Sequence, residues 1–520
     1  MPVQVFIETI SSNSEAGSQH DALVLENEYL RVHVASWSGA IIRLTDKRTG
    51  IDVFHDEEGL LLTPAGETAL DSVVVSSRPP EDEGDFGAIW VFVRWAGISY
   101  HLQLSLLPGV ASLELEYRVL NRTLEPVSYI PELVLPSFKG LLIEGSGDDF
   151  LAFDPSRDAG LHWDCSGNPY DRVTVADGLK IAFHSGSRQL APRQVDSFNL
   201  SLRAVSGISE PAAFGELVAM SMREDTLRIQ AHRSLPEATV RILDADGAQH
   251  EAAVDLRPET VRTIPLGALR PKALQINSKG EQMVEWVQDA QAPKQEIQNQ
   301  STPAPKVDYV HEIDPRRMAR HGHLRGLAAI LQGIEAARDQ DWSKADAHFE
   351  TALLYQGDDP LLWWAKAAAK RLAGTEDEEV PELLNAHFLA PLEPMLKAEA
   401  FLNMPVYEGE GGHPMLNAFS HEDFTDCICL LLEFGFEMDA VHLLDEAIRH
   451  EDFLMARILL ADLHLRAERH FEAAHHLGFA AKLPKPPHEP WRQVELDAIT
   501  RLRQAFPSDA AIQSLAKKLP

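Results

Sequence analysis

The run Asp154–Asp171 (DPSRDAGLHWDCSGNPYD) gathers His162, Trp163, Asp164, Asn168, Tyr170 and Asp171 into one short stretch. An aromatic plane packs against the C–H face of a pyranose, and carboxylates and an amide exchange hydrogen bonds with its hydroxyls, so these are the residue types a sugar ring requires. Trp163, Asn168, Tyr170 and Asp171 are read as ring-contacting residues. The competing reading is an acidic surface loop that Trp163 staples to the core. A second group comprises Trp90, Trp95 and His101 on the strand-like segments IWVFVRW and YHLQLSL, with Glu132 further along. Trp95 joins the ring-contacting set, whereas alternation assigns Trp90 and Phe92 to core packing.

Other chemistries lack their residues. There is no phosphate-cradling glycine loop ahead of a helix and no Gly-x-Ser-x-Gly elbow, so no nucleotide cofactor and no α/β-hydrolase triad is implied. Neither His162 with Asp164 nor His475 with His476 has further ligands at zinc-binding spacing, and no metal is expected. Cys427 and Cys429 lie in an apolar helical run and are read as buried thiols.

The chain has 520 residues and a net charge of −32, which would repel a phosphate backbone or an anionic membrane surface. Its longest apolar runs, such as Leu60–Leu62 and Cys427–Leu432, are far shorter than a membrane span. The N-terminus lacks the pattern of a secretory signal and there are three cysteines, so a reducing, cytoplasmic setting is expected and the sequons at Asn121 and Asn199 are read as structural.

The elements that must position these residues change character near residue 290. Before it, segments such as Ala22–Val34, Tyr100–Leu107 and Ser112–Leu120 alternate apolar and polar residues between turn residues, the pattern of an antiparallel sandwich. A large β unit over 1–207 and a smaller β lobe over 208–287 are expected, then a flexible tether over 288–305 whose Gln, Pro and Ala leave little to bury. The remainder, 306–520, reads as helical repeats. Gly333, Ala336, Ala345, Phe349 and Ala352 stand at offsets 3, 12, 16 and 19 from the first, the small-residue contact points of a tetratricopeptide helix pair. The same offsets return at Ile428, Leu431, Ala440, Leu444 and Ala447, and at Ala461, His464, Ala473, Leu477 and Ala480. Eight to ten helices in a short solenoid are expected, with a groove for a protein partner or a second copy.

Leu25–Phe54 (LENEYLRVHVASWSGAIIRLTDKRTGIDVF), Leu113–Thr123 (LELEYRVLNRT) and Phe198–Gly207 (FNLSLRAVSG) resemble the opening, central and closing strands of galactose-mutarotase-like domains. The order of parts is similar to a bacterial family with such a domain ahead of tetratricopeptide repeats. The resemblance implies a β-supersandwich, a small β lobe and a helical solenoid, with a sugar on the concave face. Such enzymes use a general acid and a general base on opposite sides of the ring. His101, Glu132, His162 and Asp164 are the residues here that could fill those roles, although the family's His-x-Tyr-Phe segment is missing. Three functional readings follow: sugar binding beside a docking module, an assembly scaffold with no sugar, and a sugar-processing enzyme.

Overall fold

The computed structural model describes residues 2–11, 19–64, 72–80, 82, 84–95, 98–123, 126–129, 131–135, 140–144, 149–164, 170–174, 179–183, 188–223, 225–288, 294–295, 322–375, 381–402, 420–485 and 492–518. Among them the first helix begins at Gly322, and everything earlier is strand and turn. An eight-stranded antiparallel sheet runs from the edge strand Gln4–Ser11 through Ile51–Pro64 and Pro131–Leu135 to Tyr170–Thr174. A nine-stranded antiparallel sheet packs across it. Its order is Lys294–Gln295, Leu141–Glu144, Asp149–Asp154, Ala159–Asp164, Val195–Ser206, Ser112–Asn121, Ile98–Leu106, Gly87–Trp95 and Ser72–Arg78. Alternate residues of both sheets, among them Leu25, Val32, Leu104, Leu115, Tyr117, Trp163 and Leu202, interdigitate in one core. Asn121 ends its strand as a buried side chain whose amide donates to the carbonyl of Ala191 and whose oxygen accepts from the Thr123 backbone.

Residues 213–287 build two four-stranded sheets around their own cluster, centred on Met220, Leu227, Ile229, Val240 and Ile276. Most of 288–305 lies outside the described residues. Lys294 and Gln295, expected in a tether, instead pair with Ile143 and Leu142 at the edge of the nine-stranded sheet.

Eleven helices are described: α1 (Gly322–Arg338), α2 (Trp342–Leu353), α3 (Pro360–Ala373), α4 (Pro381–Leu389), α5 (Pro394–Leu402), α6 (His421–Glu433), α7 (Glu437–His450), α8 (Leu454–Arg466), α9 (His470–Ala480), α10 (Gln493–Ala505) and α11 (Ala510–Leu515). The number exceeds the expected eight to ten by one, and 360–402 holds one 14-residue helix and two of nine residues. The small-residue ruler has a direct physical basis. Gly333 lies under the ring of Phe349, so close that an added Cβ would stand 2.6 Å from it. Ala336, Ala345 and Ala352 are buried beside it, as are the matching residues of α6/α7. In α8/α9 the match is equally buried except at His464, which is half-exposed and stacks on His476. The turn between α6 and α7 inserts Phe434 and Phe436 against Trp364, with ring centroids 5.4 and 5.5 Å away.

Replacing Gly333 by alanine gains roughly 1 kcal/mol of helix propensity but forces a methyl into the Phe349 ring. Since overpacking costs roughly 1–3 kcal/mol, thermal melting of Gly333→Ala should show a net loss of about 1 kcal/mol, and a rise in melting temperature would contradict this close approach.

Candidate functional site

Along Gly87–Trp95, Ile98–Leu106, Ser112–Asn121 and Val195–Ser206, every second residue faces the eight-stranded sheet. The others form the opposite face of the nine-stranded sheet, and strand register sets them in rows. One row is Trp90, Gln103, Glu116 and Asn199. The next is Ser105, Glu114, Ser201, Asp164 and Asp149. In the middle of this face Trp90, Gln103, Ser105, Glu114, Glu116 and Ser201 are half-buried and Asn199 is exposed, so the band is open to solvent. The Trp90 indole nitrogen donates to Gln103 Oε1 at 3.1 Å. Glu116 accepts from Arg118, while Glu114 accepts from the hydroxyl of Ser112 at 2.6 Å and from that of Ser201.

The helical module covers one end. The chain Arg94, Arg118, Arg122 and Arg193 meets carboxylates and a carbonyl from the helices. Arg118 Nη1 donates to the carbonyl of Leu389 at 3.1 Å. Arg122 reaches Glu393 at 2.5 and 3.0 Å and Asp426 at 2.6 Å. Arg193, fully buried, reaches both oxygens of Asp359 at 3.0 and 3.2 Å. Arg94 lies 3.2 Å from Glu422, 3.4 Å from Asp423 and 3.3 Å from Asp426. Asp359 is the N-cap of α3, and Glu422 and Asp423 sit in the first turn of α6, where a helix dipole favours negative charge. Burial raises the Asp426 carboxyl, but the guanidiniums of Arg122, Arg94 and Arg492 outweigh it and hold the group well below the usual carboxylate range. Leu120 from the sheet joins the helical core. The two modules therefore share a buried, charged junction, where the sequence reading expected only a flexible tether between them.

The small β lobe closes the other end. His162 is fully buried, with Nε2 3.2 Å from Asp149, its ring edge-on to Phe214 and His232 6.3 Å away. Asp164 pairs with Arg203 at 3.1 Å. Burial drives both histidines toward the neutral form.

His101, His162 and Asp164 thus share one face but do not converge. His101 packs its ring at a tilt against Phe92 under the helices, 3.8 Å from Glu393, and burial, with the charges of Arg122 and Arg118, lowers its pKa to about 3. His162 lies three strands across and six residues along in register, on the order of 20 Å away. That separation exceeds one sugar ring, so the pair cannot flank one. Trp163 points the other way: it is fully buried in the sandwich core, stacked on Phe150 with centroids 5.8 Å apart, because it alternates with His162 along the strand Ala159–Asp164. The segment read as a loop is strand at this point. Glu132 belongs to a strand of the other sheet, and Tyr170 and Asp171 to that sheet's edge strand. Asn168 and the side chains of Trp95, Glu132, Tyr170 and Asp171 lie outside the described residues. Trp90, assigned to core packing, is on the open band, and Phe92 is buried not in the sandwich core but beside Arg122 and His101.

The band residues Gln103, Glu114, Glu116 and Ser201 were missed, although LELEYR carries their signal: Leu113, Leu115 and Tyr117 inward require Glu114, Glu116 and Arg118 outward. Among the described residues no three side chains gather as metal ligands, and no helix is long and apolar enough to cross a membrane.

No protein-family model and no curated protein matches the chain. Among solved structures it is similar to a TPR-domain containing protein from Parabacteroides distasonis, with 10% identity and a TM-score of 0.31 over 98% of this chain and 94% of that one. It is also similar to galactose mutarotase-like proteins from Lactobacillus casei, with 11% identity and a TM-score of 0.24 over 35% of this chain and 99% of that one, and from Clostridium acetobutylicum, with 10%, 0.27, 39% and 99% respectively. These likenesses assign no activity to the chain.

Proposed function

We propose that this protein binds a carbohydrate on the open band of its nine-stranded sheet, in a mutarotase-like supersandwich, and docks a protein partner or a second copy through a tetratricopeptide-like solenoid. The observation that carries the first part is the row Trp90–Gln103–Glu116–Asn199: an indole, an amide, a carboxylate and a second amide in register on four adjacent strands, all partly exposed. Such a row offers one stacking surface and several hydroxyl partners across the width of a short oligosaccharide. Binding without turnover is the better reading of this face, because its histidines are buried, neutral and far apart, and a general acid or base must reach its proton. The second part is supported by Met438 and Phe471, which are 68% and 81% exposed at the same repeat position of α7 and α9.

Isothermal titration of the full chain against mono- and oligosaccharides tests the first part. One ligand should bind, and Trp90→Ala should weaken it about tenfold through loss of stacking. Binding untouched by Trp90→Ala and Glu116→Gln would place the ligand elsewhere. For the second part, sedimentation of the full chain and of Phe471→Ser should reveal an assembly that the substitution weakens.

A further inference from the structure

The charge pattern within the band narrows the ligand, on the reading that a saccharide binds there. Asp164 faces Arg203 and Glu116 faces Arg118, while Asp149 lies off-centre against the buried, neutral His162. Glu114 differs. It sits at the centre of the face with no basic partner among the described residues, and each of its carboxylate oxygens is taken by a serine hydroxyl, Ser112 from its own strand and Ser201 from the neighbouring one. A merely solvated surface glutamate has mobile oxygens. Here two donors on two strands fix the group while it stays half-exposed, so its orientation is set before any ligand arrives and its charge is left uncancelled.

We infer that the band selects a cationic saccharide: an amino sugar, or an oligosaccharide containing one, whose ammonium pairs with Glu114 while Trp90 stacks on a neighbouring ring. The ligand must span more than one residue. Trp90 and Glu114 are two strands and one row apart, roughly 12 Å by strand spacing and rise, about twice the width of a single pyranose. An ammonium is the complement of a fixed, unpaired carboxylate, and a neutral hydroxyl in the same place gains only an ordinary hydrogen bond. The chain's −32 charge adds a field that concentrates cations and repels uronic acids or sulfated sugars.

The test titrates the full chain with three tetrasaccharides of one linkage type: β-1,4-linked glucosamine, its fully N-acetylated form and β-1,4-linked glucose. The glucosamine form should bind about tenfold more tightly than the other two, a preference that weakens as salt is raised. Glu114→Gln, which keeps both serine contacts possible, should erase the preference by weakening the glucosamine form about tenfold, to the level of the neutral forms. Equal or tighter binding of the neutral forms overturns the amino-sugar inference and leaves the carbohydrate reading standing. A glucosamine preference that survives Glu114→Gln overturns the assignment to this residue. Binding of none of the three overturns both.

Discussion

The Asp426→Ala variant is expected to lose about 3–5 kcal/mol in the urea unfolding of the helical module, the largest single-residue effect at the junction. Asp426 takes Arg122 at 2.6 Å, Arg492 at 3.1 Å and Arg94 at 3.3 Å, and all four side chains are largely buried. Removing it takes away the one carboxylate that these three guanidiniums share, leaving Arg122 to Glu393, Arg94 to Glu422 and Asp423, and Arg492 to Glu422 and Glu495, and breaking a buried pair costs far more than the pair gains. The helix signal in the far ultraviolet would follow the transition. Arg241→Ala is the comparison: its pair with Glu251 at 3.2 Å is more than half exposed, so screening should keep its effect within about 0.5 kcal/mol. Equal midpoints for the two variants would mean that the modules do not rely on each other through Asp426.

The second large effect is loss of stability in acid. His101 is neutral in the folded protein because burial, reinforced by Arg122 and Arg118, lowers its pKa to about 3. In the unfolded chain it titrates near 6.5. Below that pH the unfolded state takes up a proton that the folded state refuses, so stability falls as pH falls from about 6.5 toward 3. By pH 4 the linkage amounts to roughly 3 kcal/mol for this one group. His162 and His232, also held neutral by burial, act in the same direction. Chemical unfolding between pH 7 and 4 should therefore show a steep decline, and His101→Gln should flatten it, because glutamine carries no proton to refuse. A decline of the same steepness in His101→Gln would exclude His101 as its source.

The two effects meet at one place. Glu393, ahead of α5, faces both His101 and Arg122, so both effects act where the helical module meets the sheet. The open band begins one row further on, at Gln103 and Glu116, with Arg118 linking Glu116 to the carbonyl of Leu389. Arg118 thus ties the open band to the helices at its end.

Local physics is what the sequence by itself determined. Alternation of period two marks strands because successive side chains leave opposite faces of the sheet, and it appears wherever one face is buried. The recurring small residues mark helix pairs for an equally local reason: Gly333 can lie under Phe349 only because it lacks a Cβ. Even the direction of Glu114 and Glu116 was legible once Leu113, Leu115 and Tyr117 were recognised as core. What only the tertiary structure decided is which polar residues meet. Density of sugar-friendly types in Asp154–Asp171 was misleading, because His162 and Trp163 leave opposite faces of one strand and the first is roofed by the small lobe. Arg122 and Asp426 are 304 residues apart, and no spacing rule connects them. Register across four strands placed Trp90, Gln103, Glu116 and Asn199 in one row, and only the folding of the helices over one end of that face and the small lobe over the other determined which part of it remains open to a ligand.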